Sequence, residues 1–489
     1  MSRNRLLIGA ALTLAVLLFI FIAINPAPKP VPAEPTASTF PTTLEAVTQA
    51  EPGRRQLDIR QWQTDTGSRV LFVHTGQLPM LDVRVLFDAG SARDDGQPGL
   101  ASLTNAMLDQ GADGLDVGDI ARGFEDLGAS FGNSSHRDMA LLTLTSLSAP
   151  EFRDPALALM RRIMHAPSFP EDALTRLRTQ MLQGLRMQQQ VPGPQLSRAF
   201  NALLFGEHPY ATPSGGTPES LPGITRDDLV AYYQRYYTAQ NAVIALVGDI
   251  TEEQARDIAT QLSDALPQGE RAVRLPVAQT LTERHTTHID FPSSQTHISL
   301  GNQLISRGHP DYVPLYVGNH ILGGGGFSAI LMDEVRQKRG LVYGVYSGIS
   351  PMASGGPFTV SLQTANDNAD AALKLTLELI SDFVANGPTD EQLQLAVDDL
   401  TGSFALATAS NSDIVGQLGA IGFYDLPLDY LDTFQQAISD VSAGDIRDAF
   451  QRHLVPDNLA IASIGPRAPD PARASETPVN DSAPADTAE

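Results

Sequence analysis

"DLVAYYQRYYTAQNAVIALVG" (residues 228–248) has a near-copy 217 positions later, "DIRDAFQRHLVPDNLAIASIG" (445–465). Aligned without a gap, the two share Asp228/Asp445, Gln234/Gln451, Arg235/Arg452, Asn241/Asn458, Ile244/Ile461, Ala245/Ala462 and Gly248/Gly465. Each reads as a helix, a short turn and an apolar run ending in glycine, the pattern of a helix followed by a buried strand. The repeat predicts two homologous halves, 56–266 and 285–466, joined by a linker at 267–284. Within them, "LDVRVLF" (81–87) and "FTVSLQT" (358–364) alternate apolar and polar residues, as strands with one buried face do. Helical segments at 171–190 and 370–386 separate such strands. The expected class is α+β, each half a largely antiparallel sheet layered with helices, two layers per half.

Length agrees with this division, since 489 residues exceed one ordinary core. With 42% hydrophobic and 18% charged residues, the composition is that of a soluble globular body. A formal net charge of −23, with no basic cluster evident to reverse it locally, argues against nucleic acid as a partner. The absence of cysteine excludes disulfides, thiolate catalysis, cysteine-ligated zinc and a lipoprotein anchor.

The two ends differ from this body. "LLIGAALTLAVLLFIFIAI" (6–24) is 19 residues without a charge, enough to span a hydrocarbon core of about 30 Å. Asn25-Pro26-Ala27-Pro28 is a poor cleavage site, so residues 1–25 are expected to be an uncleaved anchor, with a cleaved signal sequence as the alternative. Arg3 and Arg5 precede the span, which places the body outside the cytoplasm. Residues 26–55 read as a Pro/Ala-rich tether, and 467–489 as a disordered tail.

The stretch "GQPGLASLTNAMLDQGADG" (96–114) opens a helix near Leu100. Leu100, Leu103 and Met107 fall on one side of it, and Ser102, Asn105 and Ala106 on the other. The spacing of those three is that of the inverted zinc motif H-x-x-E-H, in which two histidines bind the metal and the glutamate activates water. The surroundings resemble a family. Residues 88–114 are similar to the first-half signature of the pitrilysin/insulinase zinc metallopeptidases, 206–250 to the end of that half, and 321–348 to the second-half signature. The resemblance covers about 56–466 and implies the two-half fold. It also implies where zinc would sit: Ser102 and Ala106 stand at the two histidine positions and Asn105 at the glutamate. The region of the third ligand, "TRLRTQMLQGLRMQQQ" (175–190), contains no acid. No zinc or other cofactor is therefore expected on this chain. The scattered histidines offer no substitute, because His285 and His288 fall on opposite faces of a predicted strand and His208 lies in a loop.

The second half keeps other features of the resembled family. Gly323, Gly324, Gly325 and Gly326 precede a predicted helix at 328–338. They lack the G-K-[S/T] of a phosphate loop, and a flexible or tight connection is the plain reading. The resemblance implies a substrate-handling loop, in which glycines let backbone amides approach a peptide. Arg336 and Tyr343 are, by themselves, a helix-end cation and a strand tyrosine. The resemblance implies that they bind the substrate backbone and stabilise developing charge; Arg339 and Tyr346 compete for the same assignment. Bacterial members of the family divide the work between two chains, one carrying H-x-x-E-H and the other the Arg/Tyr pair. The expectation is a non-catalytic, substrate-binding subunit of a heterodimeric periplasmic zinc peptidase, held at the inner membrane. Its partners would be a zinc-bearing homologue and a peptide. The alternative is a non-proteolytic scaffold with the same fold, like the core subunits of the cytochrome bc1 complex.

Overall fold

The sequence repeat is a structural repeat. In the computed structural model, which describes residues 57–474, a helix Arg226–Tyr236, a 3-10 turn Ala239–Asn241 and a strand Ala242–Gly248 recur as Ala443–His453, Pro456–Asn458 and Ala460–Gly465. The same chemistry starts both helices. Thr225 and Ser442 cap them, with Asp228 and Asp445 completing a capping box. Both strands end on glycine for want of room. A Cβ on Gly248 would come 2.2 Å from the Met80 carbonyl oxygen, and one on Gly465 2.8 Å from Thr296 Oγ1.

The first half supplies β1 (Arg60–Gln63), β2 (Arg69–His74), β3 (Met80–Phe87), a small hairpin of β4 (Gly111–Ala112) and β5 (Leu115–Asp116), β6 (Ser130–Ser135), β7 (Ala140–Leu147) and β8 (Ala242–Gly248). The second half supplies β9 (His285–Asp290), β10 (Gln295–Gln303), β11 (Gly344–Ile349), β12 (Pro357–Ala365) and β13 (Ala460–Gly465). The sheets run β1-β2-β8-β3-β7-β6 and β11-β12-β10-β13-β9. Apart from β1, each strand of these two sheets has a counterpart: β2/β9, β8/β13, β3/β10, β7/β12 and β6/β11. In each sheet one pair is parallel, β2 with β8 and β9 with β13, and the rest are antiparallel.

The helices that position the site are α1 (Leu100–Met107), α2 (Glu171–Gln188), α3 (Pro192–Phe205) and α4 (Arg226–Tyr236), then α5 (Tyr312–Asn319), α6 (Ala369–Asn386), α7 (Asn411–Phe423) and α8 (Ala443–His453). Two counterparts, α3 and α7, are exchanged between the halves. Leu196, Phe200 and Leu204 of α3 pack on Ala460, Ala462 and Ile464 of the second sheet. Ile414, Val415, Leu418 and Ile421 of α7 pack on Leu71, Leu86, Val243 and Ala245 of the first sheet. Three glycines at i, i+3 spacing bring α7 close to that sheet. A Cβ on Gly419 would lie 3.1 Å from Leu86, and one on Gly422 2.5 Å from Val243.

This exchange corrects the expected two layers per half. Each sheet is covered on its second face by the other half's helix, which makes three layers. The 81–87 strand accordingly buries its outward residues too: Leu86 lies under α7, and Asp82 is buried, accepting a 2.5 Å hydrogen bond from Thr145. The carboxyl-terminal boundary also moves. Residues 467–474, expected to belong to the tail, return to α6, where buried Asp370 accepts from Arg467 at 3.0 Å, from the Asp470 amide at 2.6 Å and from Arg473 at 3.3 Å. The expected anchor (1–25) and tether (26–55) lie outside the described residues. Among the described residues, no helix is long and apolar enough to cross a membrane.

Candidate functional site

Helix α1 forms as its periodicity required, with Leu100, Leu103 and Met107 all buried. Its amino end is held by Asp94, whose carboxylate accepts from the Gly99 and Ala101 amides at 2.8 Å each. Burial dominates there, and the Asp94 carboxyl is pushed up to about 7 against the pull of those two bonds. Ser102 and Ala106 are half-exposed on the opposite face. Asn105, expected beside them, turns inward. It is buried, and its Nδ2 donates to the Tyr237 hydroxyl at 3.2 Å and the Leu141 carbonyl at 3.5 Å. Ser102 Oγ donates to the Ser214 carbonyl at 2.6 Å. At the expected third-ligand position, α2 packs Leu177, Met181 and Leu185 against the core. The donor set does not fit zinc. It has no imidazole and no carboxylate, and its two polar side chains are already bonded.

The structure brings together one group of side chains with metal-ligand separations among the described residues: His309, Asp311 and His453, with candidate donor atoms within 4.8 Å of one another. A protein cation already serves its carboxylate. Arg452 grips Asp311 through two bonds of 2.9 and 3.1 Å, and His453 Nε2 adds a third at 2.7 Å. These contacts hold Asp311 below the usual carboxylate range, with the Arg452 hydrogen bond the largest influence. The group reads as a clasp between α5 and α8. Two other histidines singled out in the sequence are engaged by the fold: His288 Nδ1 lies 2.8 Å from Ser463 Oγ, and His208 Nε2 lies 2.9 Å from the Pro276 carbonyl.

In the second half, α5 stands where α1 stands in the first. It runs on as a π-helical turn, His320–Gly324, a distortion common where a helix meets a functional surface. The glycines have reasons of packing. A Cβ on Gly323 would lie 2.7 Å from the Ser347 backbone nitrogen, one on Gly324 2.8 Å from Asn319 Nδ2, and one on Gly325 2.8 Å from the His320 carbonyl oxygen. Only Gly326, at φ +64°, needs glycine for its backbone conformation. The run thus seats this turn against β11. Downstream, the predicted helix 328–338 is replaced by a 3-10 turn, Gly326–Ser328, and a π-helix, Met332–Gln337.

Three cations follow one another here, and their partners separate them. Lys338 pairs with Asp333 at 2.8 Å and Glu334 at 2.7 Å, and Arg339 is locked onto Glu334. Arg336 has no carboxylate partner among the described residues. Its guanidinium lies 5.2 Å from the ring centroid of Phe327, which is exposed on the glycine turn. Of the two competing arginines, Arg336 is the one with charge to offer. The tyrosines do not separate in this way. Tyr343, just before β11, and Tyr346, within it, are both more than half exposed and line one cavity of about 600 Å³. Its opposite wall is α3, through Leu196, Ser197, Phe200 and Asn201.

Sequence reading missed α3 as part of the site. Ser197 and Asn201 also line a second cavity of about 320 Å³, together with Arg137, Arg198 and the turn Ser214–Gly216. The Ser214 carbonyl is the acceptor for Ser102. The two cavities thus share the Ser197 and Asn201 face of α3, one lined by Tyr343 and Tyr346 and the other by the Ser214 turn to which α1 is bonded. A signal for it exists in the sequence: residues 173–206 carry four arginines and no acid within a chain of net charge −23.

Comparison with known proteins agrees with this geometry. Residues 69–217 match the family model of insulinase, peptidase family M16, and residues 223–400 match the model for the peptidase M16 inactive domain. The chain is 26% identical over 409 residues to the non-peptidase homolog YmxG of Helicobacter pylori, covering 82% of this chain and 92% of that protein. It is 22% identical over 411 residues to the uncharacterized zinc protease YmxG of Bacillus subtilis, covering 83% and 98%. A solved structure of a peptidase M16 inactive domain from Pseudomonas fluorescens superimposes with a TM-score of 0.82 at 46% identity, over 85% of this chain and all of that one. A protease structure from Helicobacter pylori shares the fold, with a TM-score of 0.77 at 19% identity over 84% of this chain and all of that one.

Proposed function

The chain belongs to the insulinase (peptidase M16) family, and from that premise we propose that it is the non-catalytic, substrate-binding subunit of a heterodimeric zinc metallopeptidase. One observation carries the reading. The face that would hold zinc has no ligands, yet two open cavities that share Ser197 and Asn201 lie between the Ser214 turn bonded to that face and Tyr343 and Tyr346, with the uncommitted Arg336 on the turn before β11.

In this reading the partner subunit supplies zinc and the water it activates, and this chain supplies contacts. Exposed phenols on β11 are suited to donate to a peptide carbonyl, and a guanidinium without a counter-ion is suited to accept charge developing there. The first charged residues of the chain and the apolar run at 6–24 support a place at the inner membrane with the body in the periplasm. Fractionation that recovers a shortened soluble form would replace the anchor with a cleaved signal.

The test is reconstitution. The chain alone should cleave no peptide, and activity should appear on mixing with an H-x-x-E-H homologue. Tyr343→Phe, which removes one hydroxyl and keeps the ring, should then lower turnover on the order of 10²–10³-fold. Full activity of a complex carrying both Arg336→Ala and Tyr343→Phe, with the dimer intact, would favour the scaffold reading.

A further inference from the structure

The cavity between α3 and the Ser214–Gly216 turn has a charge pattern that the chain as a whole does not. Its lining includes Arg137 and Arg198 and no acidic residue. Neither arginine is ion-paired among the described residues. Arg137 is held flat by aromatic rings, with its guanidinium 5.6 Å from the centroid of Phe205 and 6.0 Å from that of Tyr210. Its Nη1 is shut off from solvent and makes no hydrogen bond. The neighbouring carboxylate, Asp138, is already taken by Tyr210, by Tyr424 at 3.1 Å and by the Ala353 amide at 2.8 Å.

A largely buried cation without a partner is costly, because the lost hydration is not replaced. The cost shows in Arg137 itself, since burial holds its guanidinium below the usual arginine range. The neighbourhood adds to the imbalance. Arg186 of α2 is also unpaired among the described residues, and no acid occurs from 173 to 206. An uncompensated pair of arginines beside an open cleft therefore calls for an anion from outside the chain.

We propose that Arg137 and Arg198 form a carboxylate-binding site, which takes a carboxylate of the peptide lying in the cleft, either an acidic side chain or the free carboxyl terminus. The proposal rests on the peptide-binding reading above and adds the ligand's charge. Guanidinium groups match a planar carboxylate through paired N–H donors. The cavity shares Ser197 and Asn201 with the one lined by Tyr343 and Tyr346, so one extended ligand lying along α3 would reach both. Arg137 and Arg198 stand 61 positions apart in the sequence and meet only in the fold.

The experiment is fluorescence anisotropy on the purified full chain with matched labelled peptides. One series has a free carboxyl terminus or its amide, and a second has an internal glutamate or glutamine. At least one carboxylate peptide should bind about tenfold more tightly than its neutral twin, the worth of one charge-assisted hydrogen-bonded pair. The responding series identifies which carboxylate is read. Arg198→Gln should abolish the preference and Arg198→Lys should keep part of it. Arg198 is half-exposed, so this variant avoids the folding risk of Arg137→Gln, which would confirm the second ligand if it folds. Equal binding of charged and neutral twins would overturn the carboxylate site and leave the peptide reading standing. Binding of no peptide would overturn both. A preference unchanged in Arg198→Gln, or competition by inorganic phosphate at lower concentration than acetate, would overturn the assignment. A preference that survives Arg336→Ala with Tyr343→Phe would uphold the carboxylate site independently of those two residues.

Discussion

Leu418→Ala tests the exchange of helices that builds the cleft. Leu418 belongs to the second half by sequence, yet it is fully buried in α7 against the first sheet, in the cluster that contains Leu71, Leu86 and Val243. Truncating a buried leucine costs about 2–5 kcal/mol, the transfer of the lost methyls plus the cavity they leave. Domain stabilities are commonly about 5–15 kcal/mol, so the loss should be plain. The chain has one tryptophan, Trp62 in β1, packed edge-on to Phe72 at 6.5 Å and under Arg256 at 4.5 Å. Its fluorescence reports the first half, while far-UV circular dichroism reports both. Because α3 and α7 each complete the other half's core, urea unfolding should give coincident curves by the two signals, and Leu418→Ala should shift both together. The exposed Leu395→Ala, 61% accessible, should stay within about 0.5 kcal/mol of the parent. Two separated transitions, or a fluorescence midpoint that Leu418→Ala leaves in place, would refute the argument that the halves are interlocked.

Three further outcomes follow from named contacts. Asp94 ionises in the folded chain near pH 7 but unfolded near its usual value of 3.8. The unfolded chain thus loses this proton first, and the contribution of Asp94 to stability should fall as pH rises from about 4 to about 7, by at most about 4 kcal/mol. Urea midpoints of Asp94→Asn and the parent should diverge in favour of the variant across that window, and equal slopes would show that Asp94 is not the buried acid described. Gly323→Ala places a Cβ 2.7 Å from the Ser347 backbone nitrogen, so it should cost about 1–3 kcal/mol by overpacking and weaken peptide binding by displacing β11. A thermal melt unchanged from the parent would return the glycines to the role of a free loop. Finally, dialysed protein should hold no tightly bound zinc at α1. Metal analysis giving about one zinc per chain, retained in Ser102→Ala but lost in His309→Gln with His453→Gln, would place a metal at the Asp311 clasp instead.

What the sequence made legible and what it hid have one physical dividing line. Signals that act locally along the chain were readable. The repeated helix-turn-strand pattern, the inward face of Leu100, Leu103 and Met107, and the period-2 strands all depend on neighbours a few residues away. Signals that depend on contacts across the fold were not. A glycine looks the same whether it frees a backbone or admits a neighbour, and at Gly323 only the position of Ser347, 24 residues on, decides between them. Asn105 belongs to an outward stripe by spacing, yet Tyr237, 132 residues away, draws it inward. The exchanged helices carry the same lesson to the level of function. Nothing local in "PGPQLSRAFNALLF" (192–205) assigns it to the second sheet, because its own half has a core without it. Once α3 is laid across β10 and β13, its buried residues close that sheet and its exposed Ser197 and Asn201 become the floor shared by two cavities. Under the proposed function, the helix that holds the halves together is also the one a bound peptide would touch. For that reason, a substitution that loosens α3 should alter stability and peptide affinity together, whereas one at Arg198 should alter affinity alone.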